Sequence, residues 1–318
     1  MTDAPKRSDS SPPAAQPGGS IPGGEGPAFR LTGGAGNALP VLVAVPHAGR
    51  EYPAKLAERI RGGSASQLRL EDRYVDKIAL EIGQATGADL MIAHAPRAVL
   101  DLNRAEDDVD WSMITGDKEG GLPRHSTANR RARSGLGLIP RRLVGLGEIW
   151  REGLDRRDLD ERIVAIHRPY HRALGERLDA IRDRWGVAVL VDLHSMPPLR
   201  SRYKDDIPAQ FVVGDRFGTS CDGALSAWCL KYFGEQGRRV AHNRPYSGGF
   251  ILDRHGVPGR NIHAIQLEVC RSAYLDAKFD KPTARMPTVA RLIAGLVRGL
   301  AQRALDLDEP GDSRLAAE

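Results

Sequence analysis

Short apolar segments alternate with amphipathic helical patterns along most of this chain, and the alternation is the strongest constraint on its fold. AVLVDL at 188–193 is apolar at nearly every position, as strands covered on both faces are. PVLVAV at 40–45 and AIQLEV at 264–269 have the same character. Strands separated by helices predict a single α/β domain, with a mostly parallel, mixed central sheet flanked by helices.

Apolar runs and their flanking residues define the individual elements. We predict strands at 40–45, 89–93, 98–102, 187–193, 210–213, 239–242 and 264–269. Helices are expected from near Glu71, at 223–233 and at 288–305. Apolar residues at spacings of three and four from Leu159 to Ile181 predict a long helix that kinks or starts anew at Pro169.

Composition sets the limits of the folded part. The first 38 of the 318 residues are rich in Pro, Gly and Ser and predict a disordered leader. The folded domain is expected over 39–308, with an Arg-rich excursion at about 104–158 and a flexible tail over 309–318. The 3 cysteines include no CxxC pair, which favours a reducing compartment. No stretch resembles a signal peptide or a membrane span, so we expect a cytoplasmic protein that does not engage a membrane.

The net charge of +5 is modest, but residues 120–147 contain six arginines and no acidic residue. A solvated loop is the first interpretation, and a lid facing an anion is the second. Nucleic-acid binding ranks last, because no aromatic residue is interleaved and no nucleic-acid motif accompanies the arginines.

Ionisable side chains occur where the predicted strands end. His47 follows the strand at 40–45, Asn103 and Arg104 follow 98–102, and His194 follows 187–193. Ligands bind at the carboxyl ends of strands in open α/β sheets. Each residue alone has a structural explanation, but a carboxylate in a core strand, such as Glu268, must be paired or pKa-shifted.

Zinc chemistry explains this set of residues economically. A catalytic zinc takes three ligands from His, Asp or Glu and keeps one position for water. His47, His194 and one carboxylate would be the ligands, and Glu268 would be the base. Arg104 would clamp a substrate carboxylate, and Asp192 would orient a ligand.

Eight segments in order resemble a known family: VAVPHAGREYP, LEDRYVDKIA, RAVLDLNR, LIPRRL, IHRPYHRAL, VLVDLHSMPP, NRPYSGGFILDRHG and IQLEVCRS. Together, from about Val41 to Leu275, they are similar to N-formylglutamate amidohydrolases (formylglutamate deformylases). The resemblance implies a phosphorylase/hydrolase-like fold similar to zinc carboxypeptidases, aspartoacylase and succinylglutamate desuccinylase. It also implies one catalytic Zn²⁺ at the strand ends.

The resemblance implies roles at matching positions. His47 and His194 would bind zinc, Glu268 would be the general base, and Arg104 with Asn103 would hold the substrate carboxylate or polarise its carbonyl. The remaining substrate contacts it implies are Asn243, Arg244, Tyr246, Gly248 and Gly249, with Arg141 as part of an anion-attracting rim.

The third zinc ligand is open at this stage. The HxxE pattern of zinc peptidases is broken, because Arg50 stands three residues after His47. Asp72 is our choice, since it matches the acidic segment of the family that the chain resembles. Glu71 and Glu51 remain alternatives.

The implied function is zinc-dependent hydrolysis of the N-acyl amide of an acidic amino acid, most specifically N-formyl-L-glutamate to formate and L-glutamate, in histidine degradation. Its partner would be a small anionic N-acyl amino acid. One alternative is a related amidohydrolase acting on another N-acyl amino acid or a small peptide. A more remote one is a non-catalytic anion-binding or nucleic-acid-binding protein. The oligomeric state is not predicted.

Three other motifs suggest chemistry but fit structural roles better. His167 and His171 have the i, i+4 spacing of a zinc helix but lack its glutamate, so packing or a substrate-facing role for His171 is expected. Ser195 lacks a GxSxG elbow and is expected to cap a loop or support the site. Cys270 is expected to be a small buried residue.

Overall fold

The computed structural model describes residues 15–34, 37–116, 130–201 and 207–307. Its strands, in chain order, are β1 (Gln16–Gly18), β2 (Phe29–Thr32), β3 (Val41–Val45), β4 (Asp89–Ala93), β5 (Ile114–Thr115), β6 (Arg142–Leu143), β7 (Gly147–Glu148), β8 (Leu154–Asp155), β9 (Ala188–Met196), β10 (Phe211–Gly214), β11 (Val240–His242) and β12 (Ile262–Cys270). Its α-helices are α1 (Ala54–Arg59), α2 (Ser64–Leu70), α3 (Val75–Thr86), α4 (Arg130–Arg133), α5 (Arg156–Arg162), α6 (Arg168–Trp185), α7 (Gly223–Glu235), α8 (Phe250–His255) and α9 (Met286–Asp306).

Eight strands form one mixed sheet in the order β1-β2-β4-β3-β9-β12-β10-β11. The four central strands, β4, β3, β9 and β12, are parallel to one another. Strand β2 pairs antiparallel with β4, and β10 pairs antiparallel with β12. The predicted α/β class and its mostly parallel, mixed sheet are confirmed.

Helices cover both faces of the sheet. Alternate residues of β9 pack in opposite directions: Leu190 joins a core beneath α6, and Val191 joins the core formed with α3, α7 and α9. All nine residues of β9 and of β12 are buried. This burial on both faces explains why their sequences are apolar runs without polar alternation.

The long apolar stripe near Pro169 is divided as predicted. Helix α5 passes through a π-helical turn at Ile163–His167 into α6, and Pro169 lies in the first turn of α6. Proline has no amide hydrogen to donate to the Ala165 carbonyl four residues earlier, and that carbonyl accepts instead from the amide of Ser20 at 3.0 Å. Helix α6 ends at Trp185 and is capped by Gly186, whose φ of 80° is a left-handed conformation that glycine adopts without strain.

Three sequence predictions about elements were wrong. The leader expected to be disordered contributes β1 and β2 to the sheet, with Phe29 and Leu31 buried; its residues 1–14 lie outside the described residues, as does the tail over 309–318. Residues 98–102 form a buried turn and not a strand, since their apolar side chains enter the core without sheet pairing. The helix expected from near Glu71 begins only at Val75.

The Arg-rich excursion is described only in part. Arg124 lies outside the described residues. The described residues of this stretch include α4 and the short pairs β5–β8 and β6–β7. No helix among the described residues combines the length and apolar character needed to cross a bilayer.

Candidate active site

Strands β9 and β12 place four polar side chains on one face near the edge at which the parallel strands end. The parallel register sets Asp192 beside Gln266 and His194 beside Glu268. Because residues two apart on a strand share a face, all four project to the same side. Strand β9 runs three residues further than predicted, to Met196, so His194 and Ser195 are held inside the strand.

His47 and Asp72 reach the same place from a neighbouring connection. His47 lies two residues beyond β3, and its carbonyl oxygen accepts a hydrogen bond of 2.8 Å from the amide of Asp72. Asp72 Oδ2 lies 3.0 Å from His194 Nδ1 and 3.6 Å from His47 Nδ1. The three residues are buried, and their potential ligand atoms all lie within 4.8 Å of one another.

Each histidine also contacts a second carboxylate through its Nε2 atom. His47 Nε2 lies 2.7 Å from Asp101 Oδ1, and His194 Nε2 lies 2.9 Å from Asp192 Oδ2. Hydrogen bonds of this kind fix a metal-binding imidazole so that its other nitrogen faces the ion. Two imidazole nitrogens and one carboxylate oxygen are a donor set suited to catalytic zinc. The residues therefore fit a metal centre, with Asp72 grouped with the histidines.

The two alternative ligands are elsewhere. Glu71 Oε2 lies 3.5 Å from Arg73, and Glu51 Oε1 lies 3.2 Å from His94. Neither belongs to the buried group of possible ligands. Although Glu71 adjoins Asp72 in sequence, its side chain takes a different direction.

Proton affinities in the centre are coupled through these contacts. Burial opposes ionisation of Asp72, yet hydrogen bonds from His194 and His47 outweigh it and hold the pKa of Asp72 well below its ordinary value. Burial also disfavours the charged form of His194, but the charge of Asp192 and the hydrogen bonds to Asp192 and Asp72 raise its pKa well above the usual value. A proton on His194 thus occupies the place where a cation would bind, so metal binding would release it.

Glu268 differs from the other carboxylates. Burial raises its pKa to about 7, the charge of His194 opposes the rise, and Asp72 and Asp192 add to it. Its one hydrogen bond among the described residues is accepted by Oε1 from Gln266 Nε2 at 3.0 Å. A carboxylate with a pKa near neutrality can both accept and return a proton at physiological pH.

The centre opens into a cavity of about 210 Å³. Asn103 and Arg104 line it, as do Tyr246, Gly248 and Gly249. Asn103 accepts a hydrogen bond from the amide of Ile251 at 2.9 Å, and its amide nitrogen lies 3.4 Å from Asp192 Oδ2. A Cβ on Gly249 would lie 2.6 Å from Asn103 Oδ1, so the close approach requires glycine there.

Three residues expected at the substrate are not brought to this cavity. Arg141 pairs with Asp110 at 2.8 Å and with Glu148 at 3.0 Å, in the small β6–β7 region. Asn243 is buried, and its amide nitrogen donates to Asp215 Oδ1 at 2.7 Å. Arg244 is exposed and outside the cavity lining. The local motif was visible in sequence, but tertiary packing directs these side chains away.

Other residues of the cavity were not assigned from sequence. They include Arg69, Arg97, Arg131, Gln266 and Arg271. Arg97 binds Asp101 Oδ2 through Nε and Nη2, each at 2.8 Å. The spacing of this pair was not a usable signal, because the i, i+4 rule applies to helices and these residues form a turn. Gln266 was visible as a polar residue two positions before Glu268.

The alternative motifs have structural contacts. His171 is buried and lies 3.0 Å from both the carbonyl of Leu102 and His255 Nε2, which confirms a packing role. The Ser195 hydroxyl donates to Asp72 Oδ1 at 3.0 Å and so supports the centre. Cys270 is buried, as expected.

The fold and these contacts define an α/β protein with a buried His–Asp–His candidate metal centre where its parallel strands end. A model of the N-formylglutamate amidohydrolase family matches residues 39–275. The chain belongs to that family.

Relatives of known name or structure align with this chain over most of their length. An N-formylglutamate deformylase of Pseudomonas aeruginosa is 28% identical over 84% of this chain and 93% of its own. An N-formylglutamate deformylase of Pseudomonas putida is 29% identical over 75% of this chain and 82% of its own. The crystal structure of an N-formylglutamate amidohydrolase from Ralstonia eutropha JMP134 matches with a TM-score of 0.75 and 29% identity, covering 87% of this chain and 98% of that one.

Proposed function

We propose that this protein is a zinc-dependent amidohydrolase that cleaves N-formyl-L-glutamate to formate and L-glutamate, and that it acts in histidine degradation. The buried His47–Asp72–His194 group in one cavity with Glu268 is the observation that carries this proposal. Family membership and the names of the relatives support the choice of substrate.

One Zn²⁺ would be held by His47, Asp72 and His194. When bound, it supplies Lewis acidity that activates water and polarises a carbonyl. Asp101 and Asp192 keep the two imidazoles oriented through their Nε2 atoms. Histidine nitrogens backed by carboxylates are strong donors, which favours retention of the ion.

Glu268 is the general base in this scheme. It takes one proton from the attacking water as the new bond to the formyl carbon forms. It then delivers that proton to the amide nitrogen, so that the C–N bond breaks and glutamate leaves as an amine. Its pKa of about 7 suits both transfers.

Arg104 and Asn103 bind the substrate's α-carboxylate. Arg104 Nε and Nη1 are anchored on the carbonyls of Leu136 and Asn103 at 2.8 and 2.6 Å, so the guanidinium is positioned before substrate arrives. Such preorganisation reduces the entropy lost on binding. Tyr246, Gly248 and Gly249 complete the wall around the substrate.

The test is formate release by the purified protein, with and without a chelator, alongside its zinc content. We expect activity to disappear with the metal and return with added zinc. Full activity after metal removal would refute the zinc mechanism. A zinc-loaded protein inactive on N-formylglutamate but active on another N-acyl amino acid would overturn only the substrate assignment.

A further inference from the structure

Positive charge exceeds negative charge in the cavity. Its lining carboxylates are Asp72 and Glu268. Five arginines line it: Arg69, Arg97, Arg104, Arg131 and Arg271. Four of the arginines have partners in the protein: Arg69 donates to the carbonyl of Val144 at 2.8 Å, and Arg104 donates to the carbonyls of Leu136 and Asn103. Arg97 binds Asp101 twice, and Arg271 donates to Ser195 Oγ at 3.1 Å and to the carbonyl of Glu71 at 2.7 Å.

Arg131 differs from the other lining arginines in its contacts. Its side chain is exposed and has no hydrogen-bond or ion-pair partner within residues 15–34, 37–116, 130–201 and 207–307. It borders both the inner cavity and a second one of about 670 Å³. Arg131 therefore lies where the inner cavity opens outward, and within the described part of the chain no other group occupies its hydrogen-bond donors.

The backbone at Arg131 is fixed relative to Arg104. The amide of Ala132 donates to Asp108 Oδ1 at 3.0 Å, and the amide of Leu136 donates to the Arg131 carbonyl at 2.9 Å. The Leu136 carbonyl in turn accepts from Arg104 Nε at 2.8 Å. One short turn thus holds the backbone of Arg131 on the same wall as the Arg104 guanidinium, and both side chains line the inner cavity.

Arg104 and Arg131 repel one another in the free protein. Burial lowers the pKa of Arg104; Asp101 opposes that effect, and the charges of Arg97 and Arg131 reinforce it. An entering dianion would relieve this repulsion, since each carboxylate can meet one guanidinium. N-formylglutamate carries two carboxylates, and one of these is already assigned to Arg104.

We propose that Arg131 is the specificity-determining residue that binds the side-chain carboxylate of the substrate while Arg104 and Asn103 bind its α-carboxylate. This inference rests on the proposed function and extends it to a preference for acidic side chains. It also transfers the anion-binding role expected of Arg141 to another arginine of the same stretch.

The experiment compares N-formyl-L-glutamate with N-formyl-L-glutamine, which has nearly the same shape but a neutral side chain. Loss of a charge-assisted hydrogen bond in Arg131→Gln should lower kcat/KM for the glutamate substrate about 10- to 100-fold. The glutamine substrate should change less than about threefold. Arg133→Gln removes an equal charge from the same short helix and should alter neither value, because Arg133 is exposed and outside the cavity lining.

Equal losses on both substrates in Arg131→Gln, or an unchanged ratio between them, would overturn the role of Arg131. If the wild-type protein hydrolyses neither compound, the proposed function fails, and calorimetric binding of glutarate and its monoamide decides the inference separately. Arg131→Gln should then weaken glutarate binding alone. Identical binding of both ligands by wild type and variant would contradict the proposal.

Discussion

Replacing Glu268 by glutamine should abolish catalysis and, at the same time, stabilise the metal-free protein. Glutamine keeps the volume of the side chain and an oxygen that can accept from Gln266 Nε2, but it cannot shuttle a proton. Loss of a general base lowers kcat by about 10²- to 10⁴-fold. Zinc content should remain at the wild-type level, since Glu268 is outside the His–Asp–His group.

The stability effect follows from the direction of the pKa change. The pKa of Glu268 is raised from 4.5 to about 7 by burial, so the folded protein holds this proton more tightly than the unfolded chain. Its contribution to stability is complete below pH 4.5 and is lost as the pH rises through 7. At pH 8 the buried charge costs about 3 kcal/mol, at about 1.4 kcal/mol for each tenfold change in ionisation.

Glu268→Gln should therefore raise the unfolding free energy of the metal-free protein by up to about 3 kcal/mol at pH 8 and by little at pH 4.5. Urea unfolding at the two pH values measures this, and formate release measures activity. Glu176→Gln is the matched control, because Glu176 is exposed on α6. A Glu268→Gln protein that keeps more than about a tenth of the activity, or that is equally destabilised at both pH values, would refute the reasoning.

Two further perturbations probe the site. Asp192→Asn weakens the support behind a histidine ligand and should lower zinc affinity about 10- to 100-fold in a chelator competition, with activity recovering at excess zinc; unchanged affinity would contradict the orienting role. Gly249→Ala should displace Asn103, since its Cβ would lie 2.6 Å from Asn103 Oδ1, and so raise KM while leaving zinc content intact. Gly259→Ala, with nothing within 4 Å of the added Cβ, should behave as wild type, and equal effects of the two alanines would argue against a steric cause.

The central strands were predictable because burial on both faces requires continuous apolar sequence. That signal is local, so β3, β9 and β12 were placed to within a few residues. The segment at 98–102 has similar composition but forms a buried turn. An apolar run predicts that a segment is buried, but the segment is a strand only if it pairs with neighbouring segments of the chain.

In the candidate site, too, some residues were identifiable from the sequence and others only from the tertiary structure. Glu268 was identifiable because an ionisable group in an apolar strand is costly without partners, and His194 because it follows an apolar strand at the sheet edge where ligands bind. The partners themselves come from distant connections: Asp101 reaches His47 across 54 positions, and Asp72 reaches His194 across 122. Likewise, only packing groups Asp72, and not its neighbour Glu71, with the two histidines.

The sequence by itself determined the α/β class, the strands that carry His194 and Glu268, and the chemistry that such residues allow. Only the tertiary structure decided which loop side chains enter the cavity, bringing Arg131 to it and leaving Arg141 and Asn243 in ion pairs and hydrogen bonds elsewhere. The physical reason is that hydrophobic periodicity is a property of neighbouring residues. The direction of a loop side chain depends instead on contacts between segments far apart in the chain.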